Sequence, residues 1–259
     1  MIHRLGYILT LAMPLFGLET VEARAQAADA SAIVHRLDEL ENSVNDLTSE
    51  IARLTRLLEA ALPPAPVVEI APIDLRLNAP TKGSPAARVV LIEYADFQCP
   101  YCAQYANATY REIQRNYVDT GKIRYTFRHL PLEQLHPQAR SAAEAAECAR
   151  EQDHFWDFHD RLFANQKALG PADLESHARA LQLDVPRFQA CFTAGKVSAA
   201  VSESVEEANR LGLTGTPAFL IGEVQSNGAI RVTRRISGAQ PFGVFQAALE
   251  SILQTSSKH

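Results

Sequence analysis

The sequence predicts an α/β fold with an inserted helical subdomain, preceded by an N-terminal coiled-coil helix. Three observations lead there. The continuous apolar run Val89-Val90-Leu91-Ile92 is followed by Cys99-Pro100-Tyr101-Cys102, a helix-like stretch and an alternating strand, which together make a β-α-β unit. An Ala-rich, helix-periodic stretch from about 138 to 211 then separates that unit from renewed strand character at Ala218-Phe219-Leu220-Ile221. Ahead of both, apolar residues recur in alternating steps of four and three from Ile33 to Leu58.

At 259 residues, with 47% hydrophobic and 21% charged residues, the chain can bury a substantial core. A formal charge of -5, with no cluster of Lys and Arg, argues against a nucleic-acid partner. The first residues join a small basic head, His3 and Arg4, to an apolar stretch from Leu5 to Leu18 that Pro14 breaks. Small residues at Ala23-Arg24-Ala25 and Ala25-Gln26-Ala27 offer cleavage sites, and the run is shorter than the ~20 residues of a spanning helix. Residues 1–27 are therefore expected to be a signal peptide, which places the mature protein in the periplasm.

Residues 28–61 are expected to form an oligomerisation helix. Its seam of Ile33, Leu37, Leu40, Val44, Leu47, Ile51, Leu54 and Leu58 is a strict a/d stripe, narrower than the face by which a helix docks on its own domain. Self-association through residues 31–60 follows. Dimer and trimer both fit, since β-branched a residues favour two strands while Leu37 and Leu58 at a blur that rule. Residues 62–87 hold Pro63, Pro64, Pro66, Pro72, Pro80 and Pro85 with Gly83 and Ser84, and are expected to be a semi-extended linker that no helix or central strand can cross.

The domain at 88–255 opens on the strand at Val89, a run buried on both faces. Ala103 to Val118 reads as one helix ended by Gly121, and Ile123, Tyr125 and Phe127 alternate with Arg124, Thr126 and Arg128 as in a strand. Breaks near Gly170-Pro171, Asp184-Val185-Pro186 and Gly195 divide the helical insert. Strands at Ala218 to Ile221 and Ile230 to Val232, and a helix from Phe242 to Leu253, complete it.

Four cysteines in an exported chain of this length are too few for a disulfide-stapled scaffold. A Cys-x-x-Cys between a buried strand and a helix puts both sulfurs on the first helical turn. There the exposed backbone N–H groups favour an anion, so Cys99 is expected to be the attacking thiolate and Cys102 the resolving thiol. Pro100 suits the helix start, where its missing N–H costs nothing, and Tyr101 fills the remaining position. Zinc would need four ligands, yet no second Cys-x-x-Cys or suitable His pair accompanies the motif; His154 and His159, five apart, do not share a helical face. No metal or other cofactor is expected. Trp156, Phe155 and Phe158 read as core of the insert. Cys148 and Cys191 lie on separate helices and are either a second disulfide or two small buried apolar residues.

Residues 83 to 253 resemble the DsbA-like branch of thioredoxin-fold thiol:disulfide interchange proteins. Asp96-Phe97-Gln98-Cys99-Pro100-Tyr101-Cys102 and Gly215-Thr216-Pro217-Ala218-Phe219 carry the resemblance. It implies a cis-Pro at Pro217 beside the cysteines, with Thr216 and Pro217 binding an extended peptide substrate. It also matches Glu93, six residues before Cys99, to a buried acid that relays protons, with Lys122 as its expected partner. A second disulfide, as in some relatives, would join Cys148 to Cys191.

The resemblance covers oxidases and isomerases or reductases alike. An oligomeric stalk and Thr216 before the cis-Pro are similar to the isomerases, including the ScsC-like oligomeric branch, where several active sites share a space. The expected activity is thus disulfide isomerase or reductase in the periplasm, acting on unfolded or misoxidised exported proteins with a membrane redox partner. A DsbA-like dithiol oxidase is the alternative, as is a copper-binding or chaperone adaptor that uses the same soft thiolates.

Overall fold

A computed structural model describes residues 33–50, 53, 73–74 and 79–256. The expected signal peptide, the end of the stalk seam at Ile51, Leu54 and Leu58, and much of the expected linker lie outside the described residues. The chain divides into two units, Met1–Val67 and Val68–His259.

In the first unit, residues 33–50 form a helix, α1. Its seam residues Ile33, Leu37, Leu40, Val44 and Leu47 are all exposed in the single chain, at 57–64%. Among the described residues no helix is long and apolar enough to cross a membrane.

The second unit is built on one six-stranded sheet. Its strands are β1 (Ile73–Asp74), β2 (Thr81–Gly83), β3 (Val89–Ala95), β4 (Ile123–His129), β5 (Ala218–Val224) and β6 (Ala229–Ser237), in the order β1-β6-β5-β3-β4-β2. β3 and β4 run parallel, as a β-α-β crossover requires, and the other pairs are antiparallel. Every residue of β3 is buried. Val89 and Leu91 point into one apolar cluster with Tyr105, Ile113, Phe219 and Phe245, whereas Val90, Ile92 and Tyr94 point into another with Leu220, Ala208 and Leu213. That two-sided burial is why this strand reads as a continuous apolar run instead of an alternation.

Two short strands fall in the segment expected to be a linker. β1 closes the β6 edge, pairing Ile73 with Ile230, and β2 closes the β4 edge, pairing Thr81 with Thr126. Proline bars a chain from the middle of a sheet but not from its edge, so the Pro-rich composition and these strands are compatible. Gly83 ends β2 at φ 95°, where a Cβ would collide with the Ile123 carbonyl.

After β3 the expected single helix is broken. α2 (Pro100–Asn107) stops at Ala108, α3 (Thr109–Ile113) follows, and a π-helical turn (Gln114–Val118) leads to β4. At the break the Thr109 hydroxyl donates to the Gln240 carbonyl at 3.1 Å, tying the kink to the segment ahead of the last helix. The insert consists of α4 (Ala139–Arg150), α5 (Phe155–Ala164), α6 (Pro171–Ala180), α7 (Val185–Thr193) and α8 (Ser198–Arg210), and α9 (Phe242–Ser256) closes the domain. Gly170 and Asp184 are the N-caps of α6 and α7, each followed by a proline in the first turn. The insert has its own core, which also takes in Phe97, Cys99 and Cys102, so the active segment is packed against it. Phe155 and Phe158 are buried there, while half-buried Trp156 stacks on Tyr110 at 6.3 Å and receives Lys82 Nζ over its ring at 4.6 Å.

Candidate active site

Cys99 is the N-cap of α2 in extended conformation, and Pro100 occupies the first turn. Its amide donates to the Asp96 carbonyl at 3.1 Å and its carbonyl accepts from Ala103 N at 3.2 Å, which starts the helix with both cysteines in its first turn. Both are free thiols, and both are buried. The Cys99 thiol is lowered to about 5, chiefly by the Cys102 thiol hydrogen-bonded to it, with further help from Thr216 and from the Cys102 and Tyr101 backbone; burial opposes the shift. Burial pushes Cys102 well above the usual thiol value, and the neighbouring Cys99 sulfur and Glu93 add to it. One sulfur is therefore an anion at neutral pH and the other is a proton-bearing donor beside it.

The Thr216–Pro217 bond is cis, and the Thr216 carbonyl lies 3.5 Å from Cys99 Sγ. The two residues that the resemblance marked for substrate binding thus stand beside Cys99 although more than a hundred residues separate them from it in sequence. Tyr101 is 63% exposed beside the buried cysteines.

Glu93 is buried in β3, and its Oε2 accepts a hydrogen bond from the Tyr125 hydroxyl, which lies 3.3 Å from the Tyr105 hydroxyl. Its Oε1 has no hydrogen-bond partner among the described residues. Burial raises its carboxyl to about 8, against the opposing pull of the Tyr125 bond. The expected partner Lys122 is elsewhere. Glu93 stands opposite Phe127, whereas Lys122 precedes Ile123, which faces Val89 at the far end of the strand, and its Nζ sits over the Tyr117 ring at 5.3 Å. The partner is a phenol, not an ammonium group.

Cys148 on α4 and Cys191 on α7 are joined by a disulfide, with Cα atoms 5.8 Å apart, inside the core of the insert. His154 is paired with Asp157 at 2.9 Å on the surface. His159 is fully buried among aromatic rings, its Nδ1 2.9 Å from Asp160 Oδ1, and burial lowers its pKa.

Sequence reasoning missed the ties that hold the active loop. Gln166 of the insert donates its amide to the carbonyls of Phe97 (2.9 Å) and Cys99 (2.8 Å), and Gln98 Oε1 accepts from Gln138 N at 2.8 Å. The Asp96 carboxylate accepts from Gln98 N at 2.7 Å, an Asx turn that Asp-Phe-Gln ahead of a helix could have signalled. The insert residues gave no such signal.

The model of the thioredoxin family matches residues 77–234. The chain belongs to the thioredoxin family. Within it the fold is DsbA-like: oxidised BdbD from Bacillus subtilis superposes with a TM-score of 0.62 at 19% identity, over 72% of this chain and 99% of that one. A thioredoxin-like oxidoreductase from Silicibacter pomeroyi DSS-3 gives 0.57 at 28% identity, over 68% and 93%. The catalytic domain of Proteus mirabilis ScsC gives 0.55 at 21%, over 68% and 89%. Among curated proteins, Na(+)/H(+) antiporter NhaA 3 of Salinispora tropica is 41% identical over 151 residues, which is 58% of this chain and 22% of that protein. The thioredoxin-family likeness to such antiporters therefore concerns a minor part of their length.

Proposed function

We propose that this chain is a periplasmic thiol–disulfide oxidoreductase of exported proteins, working as an isomerase or reductase through Cys99 and Cys102. The observation that carries the reading is the split between the two sulfurs, Cys99 held down to about 5 and Cys102 pushed well above the usual range. The Cys99 thiolate attacks one sulfur of a client disulfide, forms a mixed disulfide and releases the other client sulfur as a thiolate. A second client thiolate can then attack the mixed disulfide, which rearranges the client and regenerates Cys99. Alternatively Cys102 attacks Cys99 Sγ, the client leaves reduced, and a membrane redox partner restores the pair by reducing the Cys99–Cys102 disulfide. Cys102 must lose its proton for that step, and Glu93, within electrostatic reach and titrating near 8, is suited to accept it in its ionised fraction, which grows as the pH rises toward 8. Thr216 offers backbone groups beside the nucleophile for an extended client segment.

The exposed stripe on α1 supports self-association through residues 31–60, as a dimer or trimer. Linked copies hold several thiolates near one client at high effective concentration. Deleting residues 28–61 is expected to leave monomers that still oxidise a simple dithiol but rescue a scrambled multi-disulfide client far more slowly. A monomeric full-length protein, or unchanged isomerisation after deletion, overturns the oligomeric isomerase.

The lowered Cys99 thiol also favours a second reading, a dithiol oxidase, because a stabilised thiolate makes the reduced pair stable and its disulfide a strong oxidant. The steady-state redox state of Cys99 and Cys102 in the exporting cell separates the two. A pair held reduced means isomerase or reductase, and a pair held oxidised means oxidase.

A further inference from the structure

The loop that carries the redox pair is fastened to the connection leading into the helical insert by one buried carboxylate. Asp96 is 1% exposed and sits three residues before Cys99. Its Oδ1 accepts from Gln98 N, while its Oδ2 accepts from Leu132 N at 2.9 Å and from His136 Nδ1 at 2.8 Å. The 132–136 turn is itself closed by Leu135 N and His136 N, which both donate to the Leu132 carbonyl. Asp96 therefore faces its own loop with one oxygen and the turn with the other, and among the described residues His136 supplies the one side-chain donor.

We infer that Asp96 and His136 form a latch that positions Cys99, so that His136 is a positioning residue of the redox site. This rests on the reading of Cys99 as nucleophile. The Asp96 carbonyl accepts from Cys99 N, so the position of Asp96 sets where α2 begins and how its first N–H groups meet Cys99 Sγ. Gln166 and the Gln98–Gln138 contact hold the carbonyl side of the same loop. On the strand side Leu130 N donates to the Ala95 carbonyl at 2.9 Å, so the latch acts on the turn from Asp96 to Cys99. Losing the His136 bond leaves the Asp96 carboxylate held only by the backbone amides of Gln98 and Leu132, which loosens the turn and weakens the contact between the helix start and the sulfur, while the fold of the domain, carried by the sheet and the insert core, persists.

The test compares three substitutions in the full-length, reduced protein, reading the pH midpoint of Cys99 alkylation and the melting temperature. His136→Ala removes the donor and is expected to raise the midpoint by about half a pH unit, the size of a partial loss of helix-terminus stabilisation. In His136→Asn the amide nitrogen falls where Nδ1 was, without charge or ring, and the midpoint is expected to return toward that of the parent. His136→Gln places its amide at the Nε2 position instead and is expected to behave as the Ala variant. A midpoint unchanged in His136→Ala, with only the melting temperature lowered, overturns the latch. So does an Asn variant indistinguishable from Ala, which would make the effect one of charge. The alkylation assay needs no client, so absence of exchange activity would count against the proposed function and leave this comparison readable.

Discussion

Replacing Glu93 by Gln is expected to stabilise the protein at neutral pH. The carboxyl is raised from 4.5 to about 8 in the fold because burial disfavours its charged form. The folded state thus keeps a proton that the unfolded chain has already released. Stability is full below about 4.5, declines as pH rises from there, and levels off above about 8. At pH 7 the loss amounts to about 3 kcal/mol, from the distance of about 2.5 units between pH 7 and 4.5. A Gln carbonyl can still accept from Tyr125, but its amide points an N–H where Glu93 Oε1 has no partner among the described residues, which costs about 1 kcal/mol. The net gain is about 2 kcal/mol at pH 7, or about 4–8 °C in Tm for a domain of this size; it vanishes near pH 5, and below that the unpaired amide leaves the variant slightly less stable than the parent. Urea unfolding of the reduced parent and variant at half-unit steps from pH 4.5 to 8.5 measures the difference directly and cancels titrations common to both. Parallel stability curves across that range, or a variant less stable than the parent at pH 7, would refute the reasoning.

Alkylation of Cys99 by iodoacetamide is expected to reach half its plateau rate near pH 5, with Cys102 unreactive until well above pH 9; a midpoint for Cys99 near 8 or 9 would remove the basis for its role as nucleophile. Cys102→Ser is expected to accumulate mixed disulfides between Cys99 and clients, visible on non-reducing gels, whereas Cys99→Ser yields none; equal trapping by both variants would erase the distinction between attacking and resolving thiols. Replacing Cys148 and Cys191 together by Ala removes a crosslink that spans 43 residues and is expected to cost about 2–4 kcal/mol, or roughly 5–15 °C in Tm, with the initial exchange rate within a few-fold. A slowed rate at unchanged Tm would assign that disulfide to the chemistry. A chain starting at residue 88 lacks both edge strands, and light scattering is expected to show it aggregating where a chain starting at residue 68 does not.

Much of this architecture is legible in the sequence because its signals are local. Val89 to Ile92 is apolar without alternation since β3 is covered on both faces, and Gly170-Pro171 and Asp184-Val185-Pro186 mark helix starts through capping that needs only neighbours. The cysteine motif is legible for the same reason: strand, Cys-x-x-Cys and helix are contiguous. What escapes is set by distance or brevity. Strands of two and three residues, such as β1 and β2, are too short to show any period. The break at Ala108 depends on a bond from Thr109 to Gln240. Lys122 suggested itself as the partner of Glu93 by charge alone, but the register of β3 on β4 gives that place to Tyr125, and no local pattern announces a register. His136 and Gln166 reach the active loop from 40 and 67 residues away, through contacts that exist only once the insert has closed.

β1 and β2 lie at opposite borders of the sheet, and both come from the short stretch of chain just ahead of β3. A sheet whose two borders are sealed by different parts of a protein can lose one seal and keep the other. Here a single proteolytic nick between Asp74 and Thr81 would sever the two seals from each other, and loss of the whole arm would bare both borders at once. The protection of this sheet against joining its neighbours thus has a single point of failure.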